Sequence, residues 1–320
     1  MKRRPLISKL PKSINLTYSS LKLYLDKVQN YKRLKKKFLS RLNYPLNIES
    51  PLSFNEKIQW KKLNDRNPLL PVTADKLSVR SYLVKVLGEN QANRILIPLY
   101  FETENPEKII FENLPDEFVI KPNHGSHMHL IFENKNNIVP DDVIKECKKW
   151  LKVHHGYYNY EWAYKNIKRK IIIEKLLKTS DGGLPLDYKF FCFHGKCSLI
   201  RAQFNRFNQE VRTGYFSTQW DILPISRPGY DAVIQNIAKP GKLREMIKIA
   251  EKLSENFDAV RIDLYNCDGN IYFSETTHYD FNGFVKFEPE SFDFELGKYW
   301  RLEKEYWKKG NIQTFIKNNY

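Results

Sequence analysis

The sequence predicts an α+β fold, because helical patterns and strand patterns occupy separate blocks of the chain. Three observations carry this prediction: a capped helix after a basic start, a middle block of short β-branched and aromatic runs joined by tight turns, and a long amphipathic helix before a final hairpin. A ligand could lie between two sheets built in this way. The same order excludes a doubly wound parallel sheet, whose strands and helices would alternate.

The N-terminal block, residues 1–50, is basic and helical and ends in a loop that contains proline. Its run YKRLKKKFL at 31–39 predicts a helix with Tyr31, Leu34 and Phe38 on one side. That helix could lie on an anionic membrane face. Alternatively its lysines form a solvated helix surface, which is the more common arrangement.

The later elements follow from caps, periodicity and turn residues. Ser53, followed three residues later by Glu56, is a capping box that begins a helix within residues 51–64. Gly88 ends a second predicted helix, and Asp268-Gly269 is a hairpin turn. The other helices are predicted at 74–87, 140–152, 242–257 and 290–318, the strands at 95–101, 117–122, 128–132, 170–177 and 213–221, and the hairpins at 187–207, turning at His194-Gly195, and 261–275.

Composition narrows the class of protein. The 320 residues carry a net charge of +16, which implies an anionic partner such as nucleic acid, anionic lipid, a nucleotide or an acidic polymer. A hydrophobic content of 42% excludes a disordered chain. The four cysteines form no C-x-x-C pair, so we expect reduced structural thiols. With no membrane-spanning run and no secretory signal, we expect a cytoplasmic protein, and its basic N-terminus could place it at the inner membrane face.

The segment RIDLYNCDGNIYFSE at 261–275 carries the most information about function. If the turn centres on Asp268 and Gly269, then Asp263 and Glu275 lie nearly opposite each other, with Arg261 on the same face. Two facing carboxylates repel each other, and a hard cation between them removes the conflict. Oxygen ligands suit Mg²⁺ that also holds substrate phosphates. In the competing interpretation both carboxylates point to solvent at a sheet edge.

Three further patches could converge on one nucleotide. Lys121 precedes a turn with Gly125 and Ser126, and such a turn can offer backbone N–H groups to phosphate oxygens. The strand IIIEKLL could present its backbone to an adenine edge. In DYKFF, Lys189 points away from its aromatic neighbours, so burial would require a phosphate or carboxylate partner.

Taken together, these phrases resemble ATP-grasp proteins of the teichuronopeptide-synthesis-like (TupA-like) group, found in polysaccharide biosynthesis clusters. The similarity extends from about residue 50 to residue 290. It is carried by SFNEKIQWKKLNDRNPL (53–69), ADKLSVRSYL (74–83), FVIKPNHGS (118–126), EWAYKNIKRKIIIEKLL (161–177), DYKFFCFHGK (187–196) and VRIDLYNCDGNIYFSETT (260–277).

The resemblance implies the ATP-grasp fold, in which two α+β subdomains hold ATP between them. It implies four segments: the basic helical start (1–50), an N-terminal α/β subdomain (51–115), a central subdomain with the phosphate loop (116–180), and a C-terminal subdomain with the metal hairpin and a helical tail (181–320). It implies Mg²⁺ on Asp263 and Glu275, with Arg261 and Lys189 as catalytic cations. The implied ATP contacts are Lys121, His124, Gly125, Ser126, His127, Glu174, Lys175, Leu176 and Lys189.

The chain departs from the group's pattern at several positions. His127 replaces a typical glycine, Thr277 replaces an asparagine that would be a third metal ligand, and Asn282 is a possible substitute for that ligand. Asn205 stands where an aspartate is common. Arg201, Arg206 and Arg212 lie near it and could bind a substrate carboxylate, although each alone would be interpreted as a surface residue. The FNEKIQW helix has no derived role, and Ile58 and Trp60 are expected in the core.

The implied activity is that of an ATP-dependent carboxylate–amine ligase, which would attach an amino acid to a uronic acid of a capsular or other surface polysaccharide through an acyl phosphate. Its expected cofactors are ATP and Mg²⁺, and its partners an acidic sugar, an amino acid and membrane-associated glycan assembly proteins. One alternative is an ATP-grasp phosphotransferase that acts on a glycan hydroxyl. The other is a nucleic-acid-binding protein, although RGG, zinc-finger and RNP-type motifs are absent from the sequence.

Overall fold

The computed structural model describes residues 21–154, 156, 159–204, 212–229, 231–232 and 237–320. Its helices confirm most of the predicted ones, since the capping box of Ser53 and Glu56 is formed and the helix after it is regular. The longer helices are α1 (Lys32–Leu42), α2 (Phe54–Asn64), α3 (Leu69–Ala74), α4 (Val79–Leu87), α5 (Glu89–Ile95), α6 (Pro140–Trp150), α7 (Leu243–Ser254), α8 (Ser291–Lys298) and α9 (Gly310–Asn319).

The strands form two sheets within the described residues. The smaller sheet has the order β1 (Leu99–Thr103), β4 (Ile171–Lys175), β2 (Phe118–Pro122) and β3 (Leu130–Phe132), with antiparallel pairs. The larger sheet has the order β10 (Asn270–Thr277), β9 (Ala259–Cys267), β5 (Leu186–Phe193), β6 (Lys196–Phe204), β7 (Arg212–Phe216) and β8 (Asp231–Ala232). Only its β7–β8 pair is parallel among these pairs. The predicted α+β architecture with two sheets is confirmed.

Some predicted boundaries were wrong. The helix predicted at 74–87 is interrupted at Asp75, because its carboxylate accepts hydrogen bonds from the backbone N–H of Leu77 and the hydroxyl of Ser78 and so favours a turn. The strand predicted at 95–101 begins only at Leu99. The strand predicted at 213–221 ends at Phe216, where the hydroxyl of Ser217 caps a tight turn.

Helix α1 packs its apolar side against the protein. Leu34, Phe38 and Leu42 are buried together with Leu46, and neighbouring side chains from elsewhere in the chain cover them. The basic residues Lys32, Lys36 and Arg41 are exposed. The solvated-surface interpretation of this run is therefore the correct one, and its apolar side is not available to a membrane.

The main core covers both faces of the larger sheet. Helix α7 packs against β5, β6 and β9 on the face that carries Phe190 and Ile262. On the opposite face, Phe54 of α2 contacts the rings of Phe191 and Phe193. Because side chains alternate along a strand, Lys189 and Asp263 lie on this same opposite face, beyond the part that α2 covers.

The cysteines and two residues of α2 are buried in the protein core. All four cysteines are buried and free, as predicted. Ile58 and Trp60 are buried, also as predicted. Within the described ranges, no helix has the length and apolarity needed to cross a bilayer. The domain boundaries stay predictions.

Candidate nucleotide and metal site

The β9–β10 hairpin places two carboxylates opposite each other. Its turn has positive φ at Asp268 (50°) and Gly269 (80°), as a tight hairpin turn requires. Glu275 pairs with Asp263 because a bulge between Phe273 and Glu275 shifts the register. A bulge of this kind re-aims a side chain, and here it brings Glu275 onto the face that carries Asp263.

A row of polar side chains crosses the larger sheet at this level. The strand registers place Tyr215, Arg201, Lys189, Asp263 and Glu275 in succession on β7, β6, β5, β9 and β10. We call this set the polar row. Since directly paired residues of antiparallel strands share a face, the polar row is one continuous line of side chains.

Arg261 connects the two carboxylates. Its Nε and Nη2 atoms lie 2.7 Å from the two oxygens of Asp263, a bidentate arrangement, and Nη2 lies 3.4 Å from Oε1 of Glu275. Its third nitrogen, Nη1, is paired with Asp280. Burial lowers the pKa of Arg261, but Asp263 and Asp280 outweigh this effect and raise the pKa well above its ordinary value.

Lys189 completes the charge balance around Asp263. Its Nζ lies 2.9 Å from Oδ2 of Asp263 and is also paired with Asp187. Burial raises the pKa of Asp263, but Arg261 and Lys189 outweigh it and hold the pKa below its usual range. Burial likewise raises the pKa of Glu275, while Lys76 and Arg261 contribute to a net lowering. Both carboxylates are therefore ionised at neutral pH.

Lys121 of the smaller sheet and Arg80 of α4 both engage Glu174. Lys121 is paired with Glu174 at 2.5 Å, and Arg80 Nη1 lies 3.7 Å from the same carboxylate. Burial lowers the pKa of Lys121, but the charges of Glu174 and of Glu275 on the larger sheet contribute to a net increase. The charged faces of the two sheets thus converge on one region.

Lys76 bridges the predicted phosphate loop and the predicted metal site. Its Nζ donates to the carbonyl of Gly125 at 2.8 Å and lies 3.6 Å from Oε2 of Glu275. Asn123, which is buried, fixes the base of this loop by donating to Oδ1 of Asp75 at 2.8 Å. The turn at Asp75 that interrupts the predicted helix therefore directs Lys76 into the site.

The predicted phosphate loop lies between β2 and β3. Gly125 and His127 have positive φ, 78° and 59°. Ser126 and His127 are exposed, whereas His124 is buried with its ring 3.3 Å from the side-chain oxygen of Asn123. Loop residues 124–127 thus lie beside Lys76, although their contact with phosphate stays a prediction.

The predicted adenine-binding residues have partners of their own. Glu174 is buried and is engaged by Lys121 and Arg80. The backbone N–H of Lys175 donates to the carbonyl of Pro98 at 3.0 Å, and Leu176 is buried. A role for these three residues in adenine recognition stays a prediction.

The predicted substrate residues are placed differently from one another. Arg201 is buried in the polar row, so the alternative that it is an isolated surface residue was wrong. Arg212, by contrast, is exposed at the start of β7. Arg206 and Asn205 lie outside the described residues. Thr277 Oγ1 lies 3.4 Å from Oε1 of Glu275.

Asn282 lies in a 3₁₀ turn, where its backbone carbonyl accepts hydrogen bonds from Gln59 and Lys62.

Sequence reasoning missed Lys76, Arg80, Asp187 and Asp280. Lys76 and Arg80 lie in the segment ADKLSVRSYL, which resembles the family but has no pattern that indicates a role for either residue. Asp187 precedes Lys189 by two residues on one strand, so their shared face was a usable signal. Asp280 follows β10 in a turn, and its approach to Arg261 has no signal in the local sequence.

The carboxylates and lysines of this site fit Mg²⁺ bound together with a nucleoside triphosphate. Within the described residues no cluster of three His, Cys, Asp or Glu side chains could hold a metal alone. Mg²⁺ is commonly held by one or two carboxylates together with substrate phosphates, and Asp263 and Glu275 supply that pair. Lys76, Lys121 and Lys189 supply the positive charge that phosphates require.

Solved structures that resemble the chain include several ligases. A D-alanine–D-alanine ligase from Bacillus anthracis complexed with ATP is 17% identical with a TM-score of 0.38, covering 65% of this chain and 55% of that one. D-cycloserine synthetase DcsG is 14% identical with a TM-score of 0.40, covering 72% and 71%. An L-amino acid ligase from Bacillus licheniformis is 14% identical with a TM-score of 0.36, covering 64% and 40%.

No curated protein matches the chain. The family model of TupA-like ATP-grasp proteins matches residues 56–301, which is most of the length of this chain. This match confirms the predicted ATP-grasp fold, with ATP and Mg²⁺ as cofactors. The chain therefore belongs to the TupA-like ATP-grasp family.

Proposed function

We propose that this protein is a carboxylate–amine ligase that activates a carboxylate with ATP and joins it to an amine. The observation that supports this most strongly is the polar row with Arg261, in which two ionised carboxylates are held between Lys189, Arg261 and Lys76. Such a site offers a metal-binding pair and cations for a transferring phosphoryl group. It offers no nucleophile motif, and this chemistry needs none.

In the first step, a carboxylate oxygen of the substrate attacks the γ-phosphorus of ATP, and the bond from that phosphorus to the bridging oxygen of ADP breaks. Mg²⁺ would be held by Asp263 and Glu275 and would supply charge stabilisation to the phosphate oxygens. Lys121 and Lys76 would bind the phosphates from the side of the smaller sheet. Lys189 and Arg261 would neutralise charge that develops on the transferring group.

In the second step, the amine attacks the carbonyl carbon of the acyl phosphate, phosphate leaves, and the amine proton passes to solvent or to the departing phosphate. A carboxylate alone is a poor acyl donor, and phosphorylation supplies a leaving group. Arg261 lies between Asp263 and Asp280, where its guanidinium would face the tetrahedral adduct. Exclusion of water from the buried row would limit hydrolysis of the acyl phosphate.

We further propose that the carboxylate belongs to a uronic acid of a capsular or other surface polysaccharide, and that the amine belongs to an amino acid. The net charge of +16 favours an acidic substrate. The buried arginine of the polar row, Arg201, lies beyond Lys189 and would meet the rest of such a substrate.

The exposed apolar side of residues 21–28 supports binding of the protein to the inner membrane face. Residues 21–28 are helical, and the apolar side chains of Leu21, Tyr24, Leu25 and Val28 are 52%, 62%, 48% and 67% exposed. Their spacing gives one apolar stripe, with Lys22 and Lys27 beside it. We expect sedimentation with phosphatidylglycerol vesicles but not with phosphatidylcholine vesicles, and loss of this binding in Leu25→Asp. Equal binding by that variant would contradict the assignment.

The test of the ligase measures ADP and inorganic phosphate together. The protein is incubated with Mg-ATP, galacturonate or glucuronate, and amino acids added singly. A ligase releases ADP and phosphate in equal amounts, and only when both the uronate and an amino acid are present. A glycan phosphotransferase instead releases ADP without phosphate and needs no amino acid, and that outcome would replace the proposal.

Site variants make the same test specific. Asp263→Asn and Glu275→Gln should each lower turnover by roughly 10²-fold or more, because each removes a charge on which the phosphoryl transfer depends. Asp141→Asn, at the exposed start of α6, is the matched control and should keep wild-type turnover. Retained activity in both site variants would rule out the metal assignment.

A further inference from the structure

The turn after β10 has an unusual backbone. In the 3₁₀ turn Asp280–Gly283, three successive residues have positive φ: Phe281 at 44°, Asn282 at 61° and Gly283 at 68°. For a bulky residue such as phenylalanine this conformation is unfavourable, and it persists only where the surroundings impose it. The contacts that impose it come from the FNEKIQW segment of α2.

Helix α2 holds this turn through buried polar side chains. The amide of Gln59 donates to the carbonyls of both Asn282 and Gly283 at 2.8 Å, and Nζ of Lys62 donates to the carbonyl of Asn282 at 3.1 Å. A Cβ on Gly283 would lie 2.7 Å from Nε2 of Gln59, so the helix and the turn are in direct contact. The helix therefore fixes the backbone that carries Asp280.

Asp280, the first residue of the turn, contacts two arginines of the site. Its carboxylate is paired with Nη1 of Arg261 and lies 3.5 Å from Nη1 of Arg201. Burial raises the pKa of Asp280, but Arg201 and Arg261 contribute to a net lowering below its ordinary value. Asp280 is therefore ionised at neutral pH, and it engages Arg261 through a nitrogen that Asp263 does not use.

Arg261 lies between the two carboxylates that are assigned to the metal. Its Nη2 is 2.7 Å from Oδ2 of Asp263 and 3.4 Å from Oε1 of Glu275. A divalent cation held by the same two carboxylates would repel the guanidinium, because like charges a few ångströms apart repel each other strongly in a buried site. Arg261 therefore has to give up at least one of these two contacts when the metal binds.

Asp280 allows this release without leaving a buried charge alone. Asp263 keeps Lys189, whose Nζ lies 2.9 Å from Oδ2, and it gains the metal. Arg261 keeps Asp280, which the turn holds on another edge of the guanidinium. An uncompensated buried charge is strongly destabilising. Without the charge of Asp280, the guanidinium would depend on carboxylates that it shares with the metal.

We propose that Asp280 is a positioning residue for metal binding: it holds Arg261 when Mg²⁺ occupies Asp263 and Glu275, and α2 places it there through Gln59. This inference rests on the metal assignment of the proposed function and goes beyond it, because it gives the FNEKIQW helix a role in the site. Both Asp280 and Gln59 act through Arg261, so their effects depend on that arginine.

The test measures how much magnesium strengthens nucleotide binding. Titration calorimetry gives the dissociation constant of adenylyl imidodiphosphate, a non-hydrolysable ATP analogue, in EDTA and at saturating Mg²⁺. The ratio of these two constants is the magnesium gain. A charge-assisted hydrogen bond corresponds to about tenfold or more in an equilibrium constant, so Asp280→Asn should lower the magnesium gain about tenfold.

Gln59→Met tests the contribution of the helix. This variant keeps the length of the side chain and loses the amide that donates to the turn, so the magnesium gain should fall about threefold, as expected for a neutral hydrogen bond. Its affinity for the nucleotide in EDTA should stay unchanged, whereas a merely structural loss would weaken binding in EDTA as well. Gln91→Met, at an exposed position of α5, is the matched control and should keep the full magnesium gain.

A double-variant cycle shows whether Asp280 acts through Arg261. In Arg261→Gln, Asp263 keeps Lys189 and Asp280 keeps Arg201, so we expect this background to fold. Adding Asp280→Asn to it should change the magnesium gain by less than about twofold. A loss of the same size in both backgrounds would show that only the charge of Asp280 matters, and that result would overturn the positioning role.

The outcomes separate this inference from the metal assignment. Asp263→Asn should lose the magnesium gain, and a full gain in that variant would reject the metal assignment and the positioning role together. If Asp263→Asn loses the gain while Asp280→Asn keeps it, the positioning role alone is overturned. The measurement uses no carboxylate or amine substrate, so it does not depend on amide formation.

Discussion

Lys189 and Asp263 occupy opposed positions on β5 and β9, and Nζ of the lysine lies 2.9 Å from Oδ2 of the aspartate. Both side chains are almost fully buried, and Arg261 binds the same carboxylate from the other side. Each of these two cations also engages a second carboxylate, Asp187 for Lys189 and Asp280 for Arg261. The charges around Asp263 are therefore already paired, so Mg²⁺ held by Asp263 and Glu275 would supply the positive charge that an incoming phosphate requires.

Asp263→Asn should abolish the stabilisation that Mg-ATP gives to the protein. At about 100 times its dissociation constant, a ligand stabilises the folded state by about 2.7 kcal/mol. Without the charge of Asp263, the metal loses a ligand and the nucleotide loses the metal. The measurement is the rise in Tm on adding Mg-ATP, compared between wild type and variant.

The ligand-free Tm of Asp263→Asn will also fall, since removing one partner of a buried ion pair costs about 3–5 kcal/mol. The difference with and without nucleotide is therefore the informative quantity. Asp141→Asn should show the full wild-type increment. A normal magnesium-dependent increment in Asp263→Asn would place the metal elsewhere.

Lys61→Met should destabilise the protein without affecting nucleotide binding. Lys61 is fully buried on α2 and lies 2.5 Å from both Asp65 and Asp258. Its loss leaves two buried carboxylates without their cation, at a cost of about 3–5 kcal/mol. Urea unfolding measures this loss, and Lys32→Met, at an exposed position of α1, is the control. A loss below about 1 kcal/mol would show that other groups neutralise the two carboxylates.

Gly297→Ala should be strongly destabilising, because no side chain fits where α8 meets the segment before α2. A Cβ on Gly297 would lie 2.1 Å from the carbonyl oxygen of Leu52 and 3.0 Å from the backbone nitrogen of Phe54. Both are backbone atoms, which cannot rotate away, so we expect a cost of about 3 kcal/mol or more. Gly241→Ala meets nothing within 4 Å and is the matched control. Similar Tm values for the two variants would refute the close contact.

His278 should make stability depend on pH below neutrality. The ring is buried between Phe257 and Tyr279, and Nε2 lies 2.7 Å from the hydroxyl of Thr73. Burial, together with the nearby charge of Lys61, lowers the pKa of His278 well below its ordinary value. The folded state therefore binds fewer protons than the unfolded state below about pH 6.5.

The sign follows from this difference. The contribution of His278 is present above the unfolded pKa and is lost as the pH falls, by up to about 1.4 kcal/mol for each pH unit. His278→Gln should remove this component, so its unfolding free energy should fall less steeply than that of wild type between pH 6.5 and 5. Above pH 7 the two curves should run parallel. Equal slopes below pH 6.5 would show that the histidine takes up a proton in the folded state.

The site was predictable where the signal lay within one hairpin. Asp263 and the turn at Asp268 follow from the strand pattern and turn residues of that hairpin, and alternation along β5 places Lys189 on the face away from its aromatic neighbours. The pairing of Lys189 with Asp263 joins strands that are distant in the chain and was not predicted. A regular ladder would pair Asp263 with residue 274, so the bulge that selects Glu275 was not predictable from the turn alone. Pairs distant in the chain, such as Arg261 with Asp280 or Lys61 with Asp258, have no local pattern.

The residues that contact the polar side chains of α2 are synthesised long after α2 itself. Lys61 meets Asp258, Asn55 meets Val285, and Lys57 donates to the carbonyl of Gly297, at separations of 197, 230 and 240 residues. At about 5–20 residues per second of synthesis, roughly 10–40 s separate the synthesis of α2 from that of the first of these partners. During that interval Lys57 and Lys61 lack these distant partners. The turn that carries Asp280 can therefore join α2 only after all the residues between them have been synthesised, and a chain truncated before Asp258 would leave α2 without these partners.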